Sequence, residues 1–234
     1  MTLPLKIPVA AVMLFGALFG SADDPPPSPR PAEVRWLEAE PVMVLTRTRE
    51  KAEAWALRAW PVRIRNPNTN AAGDVRLYRD DGTLDEEAAG RAELIVNPEG
   101  QPLDRRALSL AIRAAYFFGA SSIDVISGYR ADSRGSSKHH AGEALDFKLD
   151  GVDTGLLAAH LRGLARVGVG VYTHPRTRYV HVDVREQSYH WVDASPPGKT
   201  WREQSISDLK ADARDRAWAP EDDLPSFLAL LPLK

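Results

Sequence analysis

The sequence predicts an α+β fold: a mainly antiparallel central sheet with flanking helices. Three observations carry that expectation. From Pro102 onward, segments of helical spacing alternate with strand-like runs. The alternation lacks the regular βαβ repeat that a doubly wound parallel sheet requires. Several of the strands also carry one oily face and one small or polar face, because side chains two apart on a strand share a face.

The elements follow in chain order. The first 22 residues hold Lys6, the uncharged apolar run "IPVAAVMLFGALFG" and then Gly20, Ser21 and Ala22, which together read as an export signal cleaved after Ala22. The run is shorter than the roughly 20 residues that span a bilayer, so no stable membrane span is expected after cleavage. Residues 23–33, "DDPPPSPRPAE", form a proline-rich linker that can make neither helix nor central strand. Residues 34–100 read as an N-terminal supporting region: strands at "VMVLTRT" and "WPVRIRN", a helix at "REKAEAWALRAW", and a turn at Asp81-Gly82 leading into a short helix. This region holds no histidine and is expected to support rather than react.

Residues 101–234 are expected to form the catalytic domain and a C-terminal extension. "LDRRALSLAIRAAYFFG" places Leu108, Ala111, Ile112 and Ala115 at helical spacing, with Asp104 as N-cap and Gly119 as the stop. Strands follow at "SIDVISGYR", "ALDFKL", "VGVGVY" and "RYVHVDVRE", with "DTGLLAAHLRGLARVG" a helix among them. The apolar C-terminal "LPSFLALLPLK" is too short to span a membrane and is expected to pack on the domain.

Composition narrows the chemistry. A chain of 234 residues with 44% hydrophobic content builds one domain with appendages. The absence of cysteine excludes disulfides and thiolate metal sites, so any metal must be held by His, Asp and Glu. The formal charge is −2, and export signals aside, no basic excess points to nucleic acid.

The strand rule then gathers candidate ligands. In "YVHVDV" it puts Val180, Val182 and Val184 on one face and Tyr179, His181 and Asp183 on the other. In "ALDFKL" Asp146 shares a face with Ala144 and Lys148, and in "VGVGVY" Gly168, Gly170 and Tyr172 oppose three valines. The glycines are expected to leave room for a ligand's backbone. His139 lies seven positions before Asp146, close enough to return over the same floor by a turn at Gly142, with Gly142 and Ala144 keeping the approach open. Two imidazoles and one carboxylate are a common catalytic zinc set with a fourth position for water. Spacing alone leaves a local hydrogen-bonded His-x-Asp equally open, and leaves His140 a rival to His139. His160, mid-helix, is expected at the surface, and His174 and His190 in structural or solvated roles.

The motifs "SGYR" (Ser127 to Arg130), Ser137-x-His139-x-x-Gly142-x-Ala144-x-Asp146, "GVGVY" and "YVHVDV" resemble the successive motifs of the D-alanyl-D-alanine carboxypeptidase superfamily of zinc peptidases. Within it the chain is most similar to the secreted murein endopeptidase branch, whose final motif is His-x-Asp. The resemblance spans roughly residues 76–193. It implies that one Zn2+ is held by His139, Asp146 and His181 and supplies a metal-bound hydroxide, and that Arg130 binds substrate or the developing oxyanion. It implies peptidoglycan stem peptides as partners, with Tyr172 at the substrate, and a place in the periplasm or cell envelope. Asp183 is a candidate for positioning or deprotonating the water, or for orienting His181 or Arg130. The chain departs from other branches at Arg178, where they carry an acid, and in its short connection from Arg130 to Ser137.

Rival motifs are incomplete. "SDLK" (Ser207 to Lys210) fits S-x-x-K, but neither K-T-G nor S-D-N accompanies it. "PPGKT" lacks the first glycine of a phosphate loop, so no nucleotide is expected. The alternative of another class is a non-catalytic wall-binding protein that retains the peptidase fold.

Overall fold

The computed structural model describes residues 55–131 and 137–225. The expected signal, linker, "VMVLTRT" strand and C-terminal apolar tail lie outside these residues, apart from Leu224 and Pro225. The described part is α+β, built on one mixed eight-stranded sheet. Its strands are β1 (Val62–Asn66), β2 (Ala71–Val75), β3 (Ser122–Ser127), β4 (Ala144–Leu149), β5 (Val167–Tyr172), β6 (Tyr179–Val184), β7 (Tyr189–Asp193) and β8 (Gln204–Ile206). They lie in the order β2-β1-β3-β4-β6-β5-β7-β8. The β1/β3 and β5/β7 pairs are parallel and the remaining pairs antiparallel.

Among the described residues four α-helices accompany the sheet: α1 (Glu86–Val96), α2 (Arg105–Phe118), α3 (Thr154–Arg162) and α4 (Ala211–Ala217). The first three begin on aspartates. The Asp85, Asp104 and Asp153 side chains each accept two of the otherwise unpaired N–H groups of the first turn. α2 stops at Gly119, which takes a left-handed conformation at φ 66° that costs a side chain with Cβ. Both ends of α2 therefore lie where the sequence places them. α3 is shorter than its apolar pattern: it closes at Gly163, and Arg166, at φ 54°, turns the chain into β5. That strained turn is held because the Arg166 N–H donates to Asp215 at 2.6 Å.

The valines do face a core. Val169, Val171, Val180 and Val182 join Leu145 and Phe147 beneath α2 and α3, all at 2% exposure or less. "WPVRIRN" becomes β1 and adds Val62 and Ile64 to the same core. Only the end of the expected "REKAEAWALRAW" helix is described. There Arg58 and Ala59 donate to the carbonyls of Trp55 and Ala56 as a tight turn. Three strands and one helix escape the pattern reading. β2 (AAGDV) has no apolar run and exists by pairing along β1, while β7, β8 and α4 are too short to show a period.

His160 corrects an expectation. It is 1% exposed rather than at the surface, because α3 is covered on two sides, by the sheet and by the end of α2. Its ring stacks on Phe117 at 3.9 Å between centroids.

Candidate metal centre

The face of the sheet opposite the valines carries the site. β4 and β6 pair antiparallel with Asp146 opposite His181, and Gly170 of β5 lies opposite His181 on the other side. Ahead of β4, His139 is brought over this face. Two features bring it there. Gly142 sits at φ 73°, and the backbone N–H of Arg130 donates to the His139 carbonyl at 3.3 Å. Gly142 does not keep an approach open, as expected from sequence. A Cβ there would strike the backbone of Pro102, so the glycine allows close packing.

Three buried atoms converge: His139 Nε2, Asp146 Oδ1 and His181 Nδ1. The two nitrogens are 3.1 Å apart, His139 Nε2 is 3.3 Å from the Asp146 oxygen, and His181 Nδ1 is 2.8 Å from it. Ligands about 2.0 Å from a tetrahedral cation lie about 3.3 Å from one another, so one small divalent ion fits these three atoms. His139, Asp146 and His181 are the one group of this kind among the described residues, all buried. The donor set, two imidazoles and a carboxylate, suits zinc among other borderline cations.

Each imidazole is aimed by its other nitrogen. His139 Nδ1 lies 2.6 Å from the Gly128 carbonyl, an acceptor, so that nitrogen carries the hydrogen and Nε2 offers its lone pair. His181 is turned the other way: Nε2 lies 2.9 Å from Asp183 Oδ2, leaving Nδ1 for the shared point. Carboxylate and carbonyl partners of this kind orient metal-binding histidines. Asp183 is 1% exposed and is itself held by Arg185, which donates Nε to Oδ1 at 2.6 Å and Nη2 to Oδ2.

Upstream, Asn97 secures the loop. Its Oδ1 accepts the Tyr129 N–H at 2.9 Å while its amide donates to the Gln101 and Pro102 carbonyls. A Cβ on Gly128 would collide with the Asn97 side chain, so the glycine of "SGYR" is required for this contact.

Of the remaining expected residues, Arg130 and Tyr172 are brought beside the same point. Arg130, with a side chain 40% exposed, donates Nη2 to Asp146 Oδ2 at 3.2 Å, which leaves Oδ1 to face the histidines. Tyr172 stacks on Tyr179 at 4.2 Å, and both feel the charges of Asp146 and Arg130. Burial raises both phenols, so they remain protonated donors. Lys148 stands opposite Asp124 of β3. His140 stacks loosely on Tyr129 at 5.9 Å and takes no place among the three convergent atoms.

Sequence reasoning missed Arg185, Trp191 and Asn97, and gave no role to Tyr179. The strand period places Tyr179 on the face of His181, as the structure has it. Trp191 comes from the unpredicted β7 and lies 5.0 Å from the His181 ring.

The three groups act strongly on one another and on Asp183. Burial opposes ionisation of Asp146, but hydrogen bonds from His139 and His181 outweigh it and hold the carboxyl well below its usual range. Burial likewise lowers His181, and its hydrogen bonds to Asp146 and Asp183 reverse this and raise it to about 9. Without a metal, a proton occupies the position between these groups.

No family model, curated protein or solved structure matches the chain. The three convergent atoms therefore stand on their own geometry.

Proposed function

We propose that the protein is an exported zinc-dependent peptidase that hydrolyses a peptide bond of peptidoglycan, either a cross-link or within a stem peptide. The fold is proposed to be of the zinc D-Ala-D-Ala carboxypeptidase type. The observation that carries the reading is the convergence of His139 Nε2, Asp146 Oδ1 and His181 Nδ1, with the Arg130 guanidinium at its edge.

A zinc ion held there would polarise a carbonyl and make water a usable nucleophile near neutral pH. The chain's own residues do the rest. Arg130 reaches the site while remaining 40% exposed, so it can pair with a substrate carboxylate or with the oxygen that gains charge. Tyr172 and Tyr179 offer a flat wall and two protonated hydroxyls beside it. Of the roles open to Asp183, its contacts favour holding His181. Both oxygens are engaged and the group is 1% exposed, so it has no path to a substrate proton.

The test is digestion of purified sacculi with added zinc, beside His139→Ala. New muropeptides from wild type alone are expected. If wild type binds zinc and sacculi but releases none, the non-catalytic wall-binding alternative replaces the peptidase.

A further inference from the structure

The two glycines of β5 face the metal centre's side of the sheet, where Gly168 pairs with Asp183 and Gly170 lies between His181 and Trp191. Neither has a positive φ, so their value is not conformational. It is space, and the space is not left for a ligand. A Cβ on Gly168 would come within 3.0 Å of both oxygens and the carbon of the Asp183 carboxyl group. One on Gly170 would come within 3.0 Å of three atoms of the Trp191 indole.

Neither neighbour can move aside. Asp183 is short and clamped between His181 and Arg185. Trp191 is 5% exposed and wedged between the His181 ring at 5.0 Å and the Tyr189 ring at 5.6 Å. Both contact His181, one at Nε2 and one beside its ring.

We infer that Gly168 and Gly170 are positioning residues of the metal centre: by seating Asp183 and Trp191 they fix the tautomer and ring plane of His181, and so set zinc affinity. The inference rests on the metal-centre reading but not on the choice of substrate. In the neutral ring that would bind a metal, Asp183 holds the one remaining hydrogen on Nε2; with Asp183 displaced, that hydrogen could stay on Nδ1, the nitrogen the metal needs. The whole strand pattern then has a division of labour. Valines on one face build the core, and glycines on the other build the support of a ligand.

The experiment measures zinc affinity by competition with a chromophoric chelator for wild type, Gly168→Ala, Gly170→Ala, Asp183→Asn and Val169→Ala. Melting of each metal-free protein and the His181 ring-nitrogen NMR signals are recorded alongside. Val169 lies on the same strand but faces the core at 0% exposure, so its truncation reports on stability alone. Gly168→Ala is expected to weaken zinc about 10–100-fold, the usual cost of losing an outer partner, and to remove the Nε2–H signature of His181. Gly170→Ala weakens it less, and Val169→Ala lowers the melting temperature with affinity unchanged. Should Gly168→Ala fail to fold, Asp183→Asn must show the loss instead. Wild-type affinity in both Gly168→Ala and Asp183→Asn, or an equal loss in Val169→Ala, overturns the inference. A wild type that binds zinc with this pattern of losses yet releases no muropeptides refutes the peptidase proposal and leaves the inference standing.

Discussion

His139, Asp146 and Arg130 do different work at one point, and substitution separates them. Asp146 supplies one oxygen to the histidines and the other to Arg130. Asp146→Ala therefore removes a ligand and strands a buried pair of imidazoles, and zinc binding should fall by more than the roughly 100-fold ceiling for outer partners. Equilibrium dialysis against zinc reads this directly. Arg130→Lys keeps the charge but not the planar fork that spans Asp146 and an incoming oxygen. Under the proposed function it should lower kcat/KM on muropeptides by about 100-fold, the usual cost of one lost oxyanion donor, while zinc affinity stays within a few-fold of wild type. Loss of zinc in step with activity would mean that Arg130 serves only to hold Asp146. Asn97 acts at one further remove. Asn97→Ala unties Tyr129, Gln101 and Pro102 together and leaves buried partners unsatisfied, a cost of about 1–3 kcal/mol in unfolding free energy.

At the scale of elements, α3 shows where sequence reading succeeds and where it stops. Its start at Asp153 and the starts and stops of α2 were legible because caps are local: an aspartate, a first turn, a glycine. The faces of β4 and β6 were legible because a period of two needs no partner to be seen, and it placed Asp146, His181 and Asp183 together. What periodicity cannot show is what covers a face. His160 reads as a surface residue on α3 alone, and only the packing of α2 against α3 buries it. Gly168 and Gly170 read as room for a ligand until β7 and Asp183 fill that room. His160 pays for its burial, since neither ring nitrogen has a hydrogen-bond partner among the described residues. Burial, aided by Arg113, lowers its imidazole to about 3. His160→Leu should therefore stabilise the fold by about 1–3 kcal/mol in urea unfolding, because it removes unsatisfied polar atoms from an apolar stack. A loss of stability would show that the Phe117 stacking outweighs them.

For the molecule as a whole, histidines of opposite character lie on the two sides of the sheet, and pH separates them. His160 and His190 belong to the core side and are lowered by burial, to about 3 and about 4. A histidine whose folded pKa is depressed favours the native state above its unfolded value near 6.5, and that stability drains away as pH falls towards the folded value. His181 belongs to the metal side and is raised to about 9 despite its burial, by Asp146 and Asp183. Its contribution is complete below about 6.5 and is lost as pH climbs through about 9. The metal-free protein should thus be most stable near pH 6.5, with an alkaline limb set by the centre and an acid limb that the core histidines begin and the depressed carboxyls of Asp146 and Asp183 continue below about pH 4. Under the proposed function, zinc would act on the alkaline limb. It would take the lone pair that the proton occupies, so its apparent affinity should rise as His181 deprotonates, and the gap between zinc-loaded and chelator-treated melting temperatures should widen from pH 6.5 to 9. His160→Leu should flatten the acid limb between about pH 6.5 and 4 and leave that gap unchanged, whereas Asp183→Asn should shrink the gap. Melting curves at half-unit pH intervals, with zinc and with chelator, decide the matter. A metal-free melting temperature that rises steadily from pH 6.5 to 9 would show that His181 is not held protonated between the two carboxylates.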